Sequence, residues 1–224
     1  MKTIVIDLDG TLVESEKAWL RIFSRAYEEL SHRSGISVDE IVSMIRNFRI
    51  KLIKFSDPKA FDWDYILRTI SSKLNIEIDL CIEKETPYIA QKTRLANGTI
   101  ETLKQLKELG LRIIIGTNGN WKYQKHVLIH HRLIDFVDEI RTSDIIGCLK
   151  NNPKFFIGAD VSVGDHIVFD VHYPRTFGLK AVLVGNSKKY LATAKLLGIN
   201  EIAKPSITVR SIDELPKVVH SILD

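Results

Sequence analysis

The segment Thr3-Ile4-Val5-Ile6-Asp7-Leu8-Asp9-Gly10-Thr11-Leu12 decides the fold. Thr3–Ile6 is a short apolar run rich in β-branched residues, as strands buried on both faces tend to be. It ends in two aspartates one residue apart. In extended chain Asp7 and Asp9 point to the same side. Carboxylates that close repel, so one takes a proton or a cation intervenes. Gly10 lets the backbone turn sharply just after them. Alone, Asp-x-Asp-Gly also reads as an ordinary capped turn.

Working outward, five more runs of this kind follow: Arg112–Ile115, Val137–Arg141, Val161–Val163, Lys180–Val184 and Ser206–Val209. Helical stretches separate several of them. Thr99–Leu109 places Ile100, Leu103, Leu106 and Leu109 at helical spacing, and Gly110 closes it. Trp121–His131 and Lys188–Leu197 are two more. Strands alternating with helices predict an α/β fold with a mostly parallel sheet and right-handed crossovers.

Residues 15–94 break this rhythm. They read as helices Glu16–Leu30, Val38–Lys54, Phe61–Leu74 and Leu80–Arg94, with no convincing strand. A crossover needs roughly 10–12 residues, so the excess predicts a helical insertion. The expected division is a core of 1–14 and 95–224 with a helical unit of 15–94. Its place after the first strand puts it over the carboxyl edge of the sheet, where open α/β sheets bind ligands.

Composition narrows the function classes. Of 224 residues, 45% are hydrophobic and 27% charged, which fits a soluble globular protein and excludes disorder. With 12 Gly and 2 Cys, collagen-like and disulfide-scaffold classes are excluded. Cys81 and Cys148 carry no metal spacing and read as free thiols in a reducing compartment. No apolar run reaches a membrane span of roughly 18 residues. The apolar N-terminal stretch is also shorter than a signal-peptide core of roughly 7–15 residues. A cytoplasmic protein with no membrane partner is expected. The net charge of +4 mildly favours anionic ligands, without the dense basic stripe of a nucleic-acid binder. The basic segment Arg46–Lys54 reads as a solvated helix face, or as a place where Arg46 or Arg49 grips a distal carboxylate or second phosphate.

Three further pieces carry chemistry. Gly116-Thr117-Asn118-Gly119-Asn120 follows the second strand and leads into a helix, offering a hydroxyl and free N–H groups to an anion. Lys150-Asn151-Asn152-Pro153 puts an ammonium just before a Pro-started helical turn. Val163-Gly164-Asp165 ends another strand, and Asp170 follows five residues later. Each alone also reads as a turn. Together they put four carboxylates, a hydroxyl and an ammonium at one sheet edge. Such convergence without a cation would be costly. An oxygen-liganded divalent cation resolves it, and Mg²⁺ suits a phosphate substrate.

In this order of motifs the sequence resembles the haloacid dehalogenase superfamily. The resemblance extends to Leu106-Lys107-Glu108-Leu109-Gly110 and to Phe177-Gly178-Leu179-Lys180-Ala181-Val182. It implies a Rossmann-like core and a helical cap. It implies that Asp7 is the nucleophile, forming an aspartyl phosphate, and that Asp9 is the general acid and base. Thr117, Asn118 and Lys150 would bind the transferring phosphoryl group. Asp7, the Asp9 backbone carbonyl and Asp165 would hold Mg²⁺, with Asp170 orienting Lys150 or metal-bound water. The founding dehalogenases lack a carboxylate at the Asp9 position, because a departing halide needs no proton. Asp9 therefore points to a phosphatase of small phosphorylated metabolites, of phosphoglycolate, sugar or nucleotide type. A phosphomutase and a non-catalytic regulatory protein on the same scaffold are the rival readings. A monomer or small homo-oligomer is expected.

Two departures from the family pattern stand out. Lys-Pro-x-Pro is replaced by Lys150-Asn151-Asn152-Pro153. The Lys150–Asp165 segment also leaves room for about one helical turn where relatives carry a full helix. That shortening puts the placement of Lys150 in question. It leaves Phe155 and Phe156 as either core filling or an exposed partner surface. His126 and His130, four apart on a helix, read as surface histidines without a third zinc ligand. His166, next to a proposed metal ligand, reads as a residue that could line the site; Trp19 reads as cap core or as a side chain that reaches substrate, and Cys148 as a packed thiol.

Overall fold

The computed structural model describes residues 1–223; Asp224, the last residue of the expected core segment, lies outside the described residues. The chain runs β1 (Thr3–Ile6), β2 (Val13–Glu14), α1 (Glu16–Ser34), α2 (Val38–Lys54), α3 (Trp63–Lys73), α4 (Ile82–Lys92) and β3 (Arg94–Leu95). It continues through α5 (Thr99–Glu108), β4 (Arg112–Thr117), α6 (Trp121–His130), β5 (Glu139–Thr142), α7 (Ser143–Ile146), β6 (Val161–Gly164) and α8 (Tyr173–Thr176). It ends with β7 (Lys180–Val184), α9 (Leu191–Leu197), β8 (Ile207–Val209) and α10 (Leu215–Leu223).

Six strands form one sheet in the order β5-β4-β1-β6-β7-β8, and every neighbouring pair is parallel. The chain winds from β1 outward to β4 and β5, then returns to build β6, β7 and β8 on the other side. The direction of winding reverses between β1 and β6, the point where open α/β sheets leave a crevice for ligands. β1 and β6 deliver Asp7 and Asp165 to that crevice.

Period-two alternation sorts β1 between two layers. Ile4 and Ile6 join Ile113, Ile115, Val161 and Val163 in the larger core, packed with α5 and α10. Val5 faces the other way, onto Ile114, Cys148, Phe155 and Phe156. Phe155 and Phe156 are therefore buried core, which overturns the partner-surface alternative. The segment from Pro153 to Phe156 makes a single 3₁₀ turn, and its two rings fill the space under the sheet that a longer helix would otherwise cover.

Helices α1–α4 carry their own apolar cluster, including Ile22, Ala26, Leu30, Ile41, Ile66 and Leu67. Ser37 and Glu40 form a reciprocal capping box that starts α2. The boundaries at 14/15 and 94/95 fall within a feature the sequence reading missed. β2 and β3 pair antiparallel, Val13 with Leu95 and Glu14 with Arg94. The ribbon ties both ends of the helical stretch together, and two-residue strands carry no periodicity to detect. It also ends α4 at Lys92, short of the expected Arg94. The expected helix Lys188–Leu197 begins as a 3₁₀ turn, Ser187–Tyr190, and becomes α-helical at Leu191. α10 follows β8 and was not expected. Among the described residues no helix is long and apolar enough to cross a membrane.

Candidate active site

The turn after β1 sets the site. Asp7 N donates to Val163 O at 2.8 Å, which locks the strand end against β6. Gly10 has φ +83, a left-handed conformation that glycine adopts without strain. A Cβ there would also collide with the Asp165 carboxylate, at 2.8 Å from its Cγ. Gly10 thus permits both the turn and the close approach of Asp165.

The turn separates the two aspartates. Asp9 is held away from the carboxylate cluster by two donors, Ser15 Oγ to Oδ1 and Gln124 Nε2 to Oδ2 at 2.6 Å. Ser15 is the N-cap residue of α1, yet its hydroxyl makes no capping bond; it serves Asp9 instead. Burial pushes the Asp9 carboxyl above its ordinary range, while Ser15 and Gln124 oppose the rise by stabilising the anion. Among the described residues the carbonyl oxygen of the Gln124 side chain is buried without a partner.

Asp7 faces Lys150. The Lys150 ammonium donates to Asp7 Oδ1 and to Asp170 Oδ1, each at 2.6 Å. The Lys150 backbone N–H donates to Asn118 Oδ1 at 2.9 Å, so the β4 turn fixes the loop that carries the lysine. Burial alone would lower the Lys150 pKa, but Asp170 and Asp7 outweigh it and raise it. The shortened segment after Lys150 therefore does not displace the ammonium from the strand ends. Thr117 closes β4, and its Oγ1 accepts from Gly119 N at 3.0 Å.

Asp7, Asp165 and Asp170 bring one carboxylate oxygen each within 4.8 Å of one another. All three are buried. Asp165 contacts Lys189 Nζ at 3.1 Å and Tyr190 OH at 2.9 Å. Burial pushes Asp7 well above its ordinary range, against the pull of Lys150, and it also raises Asp170. Asp7 and Asp170 thus share the single ammonium of Lys150 and are short of positive charge. An all-oxygen donor set with that deficit fits a hard divalent cation such as Mg²⁺.

β6 leads through a wide π-type turn, Ile167–His172, rather than a regular helix. That turn points Asp170 back at Lys150, and Asp170 Oδ2 accepts from His166 N at 3.0 Å. The His166 ring lies parallel to the Tyr190 ring, centroids 3.9 Å apart. Its Nδ1 accepts from the backbone of Val168 and Phe169. Burial, with Lys150 nearby, lowers its pKa to about 3, so it is neutral at physiological pH.

One cavity of about 510 Å³ is lined by all seven residues selected from sequence: Asp7, Asp9, Thr117, Asn118, Lys150, Asp165 and Asp170. Trp19, Arg46, Arg49 and His166 also line it. His126 and His130 take no part: among the described residues the one cluster able to hold a metal is the three aspartates. Sequence reasoning missed Ser15, Gln124, Lys189 and Tyr190. Ser15 had a weak signal, as a helix-capping residue six positions after Asp9. Gln124 had none, because its partner lies 115 residues away.

The model of haloacid dehalogenase-like hydrolases matches residues 1–159. A glyceraldehyde 3-phosphate phosphatase of Pyrococcus abyssi is 27% identical over 201 residues, covering 81% of this chain and 80% of that protein. The crystal structure of a HAD phosphatase from Thermococcus onnurineus superposes with a TM-score of 0.73 at 25% identity, covering 98% of both chains. The L-2-haloacid dehalogenase from Xanthobacter autotrophicus shares the fold, with a TM-score of 0.66 at 17% identity over 99% of both chains.

Proposed function

The chain belongs to the haloacid dehalogenase-like hydrolases, and on that premise we propose that it is a Mg²⁺-dependent phosphatase of small phosphomonoesters. The contact of Lys150 Nζ with Asp7 Oδ1, 2.6 Å within a cluster of buried carboxylates, carries this reading. It puts a cation beside the carboxylate that would attack, which a phosphate dianion requires.

Asp7 attacks phosphorus, and the bond to the ester oxygen breaks as the Asp7 oxygen–phosphorus bond forms. Asp9, in its acid form, gives its proton to the departing alcohol. Burial supports that form, because it raises the pKa. Asp9 then takes a proton from water as that water attacks the aspartyl phosphate. Phosphate leaves and Asp7 is restored. Thr117, Asn118 and Lys150 hold the transferring oxygens, and Asp170 positions Lys150. Asp7, the Asp9 backbone carbonyl and Asp165 would hold Mg²⁺, which when bound offsets the phosphoryl charge.

We assign 1–14 and 95–224 to the catalytic core and 15–94 to a helical cap. The shared cavity supports this division, since Trp19, Arg46 and Arg49 line it together with the residues at the strand ends. Closure of such a cap would exclude water from all but the intended step.

The test is phosphate release from an aryl phosphate, with Mg²⁺ and with chelator, for the wild type and Asp7→Asn. Magnesium-dependent release that Asp7→Asn abolishes is expected. Release that survives Asp7→Asn overturns the reading.

A further inference from the structure

The cavity holds a cation that the proposed phosphoryl transfer does not use. Arg49 of α2 lines it together with Asp7 and Lys150. The flat guanidinium sits 5.0 Å from the Phe61 ring centroid and 4.4 Å from that of Trp63. Its Nε donates to Ala60 O at 2.9 Å. These contacts fix the plane of the group and occupy its inner edge.

Its outer edge is uncommitted. Among the described residues the guanidinium makes no ion pair, and Nε is its one hydrogen-bond donor in use. Burial lowers its pKa to about 10, with the Tyr27 hydroxyl as the opposing influence. It stays charged at neutral pH but lacks a counter-charge. The group is half-buried and lines the open cavity, so a bound anion would supply the counter-charge that no protein side chain gives it. A purely structural brace would account for Nε and the aromatic faces. It makes no use of the two terminal nitrogens, which have no protein partner among the described residues and form a preformed fork for an oxyanion. Arg46, one turn earlier on the same helix, is exposed and also lines the cavity.

We propose that Arg49 binds a second anionic group on the substrate, so that the preferred esters carry a carboxylate or a second phosphate at the end remote from the scissile bond. The proposal rests on the phosphatase reading above and narrows its substrate class. The cavity, about 510 Å³, has room for a carbon frame between the two anions. Trp19, Phe23 and Ile53 give part of that frame an apolar wall.

Three esters on one three-carbon frame test it: 3-hydroxypropyl phosphate, 3-phosphooxypropanoate and propane-1,3-diyl bisphosphate. Wild type is expected to favour the anionic ends by roughly tenfold or more in kcat/KM, mostly through KM. Arg49→Met collapses that ratio towards one, and Arg49→Lys retains part of it. Whichever anionic ester wins identifies carboxylate or phosphate as the second group. If Arg49→Met slows all three esters in proportion, Arg49 is a brace and the proposal fails. It also fails if wild type shows no preference for an anionic end.

Calorimetric binding of the same esters to Asp7→Asn and Asp7→Asn/Arg49→Met separates this proposal from the phosphatase reading. A gap in Kd between charged and neutral ends that Arg49→Met closes, without turnover by wild type, upholds Arg49 and sinks the hydrolysis reading. Turnover without such a gap does the reverse.

Discussion

Lys150 Nζ lies 2.6 Å from Asp170 Oδ1, and both side chains are buried, with exposures of 2% and 1%. The same ammonium contacts Asp7. Removing one member of a buried pair leaves an uncompensated charge and costs about 3–5 kcal/mol. Lys150→Met is therefore expected to lose stability of that order in urea unfolding at neutral pH in chelator. The loss shrinks in acid, where Asp7 and Asp170 take up protons. An equal loss at all pH values would contradict this account.

The same carboxylates govern the response to cation. Folding raises the pKa of Asp7 and Asp170 above the ordinary 3.8. A carboxyl that binds its proton more tightly when folded destabilises the fold as pH rises from 3.8 through its folded value, and fully above it. A divalent cation offsets that penalty only where the carboxyls are ionised. The gain in Tm on adding Mg²⁺ is expected to be larger near pH 7.5 than near pH 5, and Asp7→Asn removes most of it. Differential scanning fluorimetry checks this, and the same gain at both pH values would count against it.

Gln124 acts through Asp9. Its Nε2 donates to Asp9 Oδ2 at 2.6 Å, which stabilises the anion and lowers the pKa. Gln124→Leu removes that bond, so the Asp9 pKa rises. If Asp9 is the general acid proposed, the alkaline limb of the kcat profile, where it would lose its proton, is expected to move to higher pH. A fall in kcat with an unmoved limb would mean that Gln124 merely packs.

Tyr123, the neighbour of Gln124, ties α6 to the helical stretch. Its hydroxyl accepts from Asp64 N at 2.9 Å and lies 2.9 Å from Asp62 Oδ1 and 2.8 Å from Asp64 Oδ2. Asp64 in turn accepts from Ile82 N and Glu83 N at the start of α4. Tyr123→Phe leaves the Asp64 backbone N–H unpaired, at a cost of about 1–3 kcal/mol. Amide exchange in Trp63–Lys73 is expected to quicken more than in β1. Uniform change across both would show that the bond does not act locally.

Phe155 tests the thin flank of the sheet. It packs on Val5 and Ile114, and Phe155→Ala is expected to cost about 3–5 kcal/mol by cavity formation. Chemical denaturation measures it. A loss below about 1 kcal/mol would mean that the flank collapses freely around the deletion.

Much of the fold was legible in short stretches. β1 and β7 span the residues their apolar runs predict, Thr3–Ile6 and Lys180–Val184, because a strand buried on both faces needs an unbroken apolar run. α2 keeps its predicted bounds for a similar local reason: Ser37 and Glu40 mark its start in four residues. The β2–β3 ribbon was hidden because it pairs residues some 80 positions apart through two-residue strands.

The sequence by itself determined the α/β alternation and, through the hydrophobic pattern of the strands, the placing of Asp7, Thr117 and Asp165 at one sheet edge; the order of motifs and the family resemblance they carry added Asp9, Asn118, Lys150 and Asp170. Only the tertiary structure decided what each of them touches. Asp9 turned to Gln124 and Ser15, Asp170 turned to Lys150, and Arg49 was left with an open edge. Those choices depend on side chains meeting in the folded chain, 115 residues apart for Gln124 and Asp9 and 20 apart for Lys150 and Asp170. Packing geometry fixes such meetings and, apart from the weak capping signal of Ser15, no local pattern encodes them.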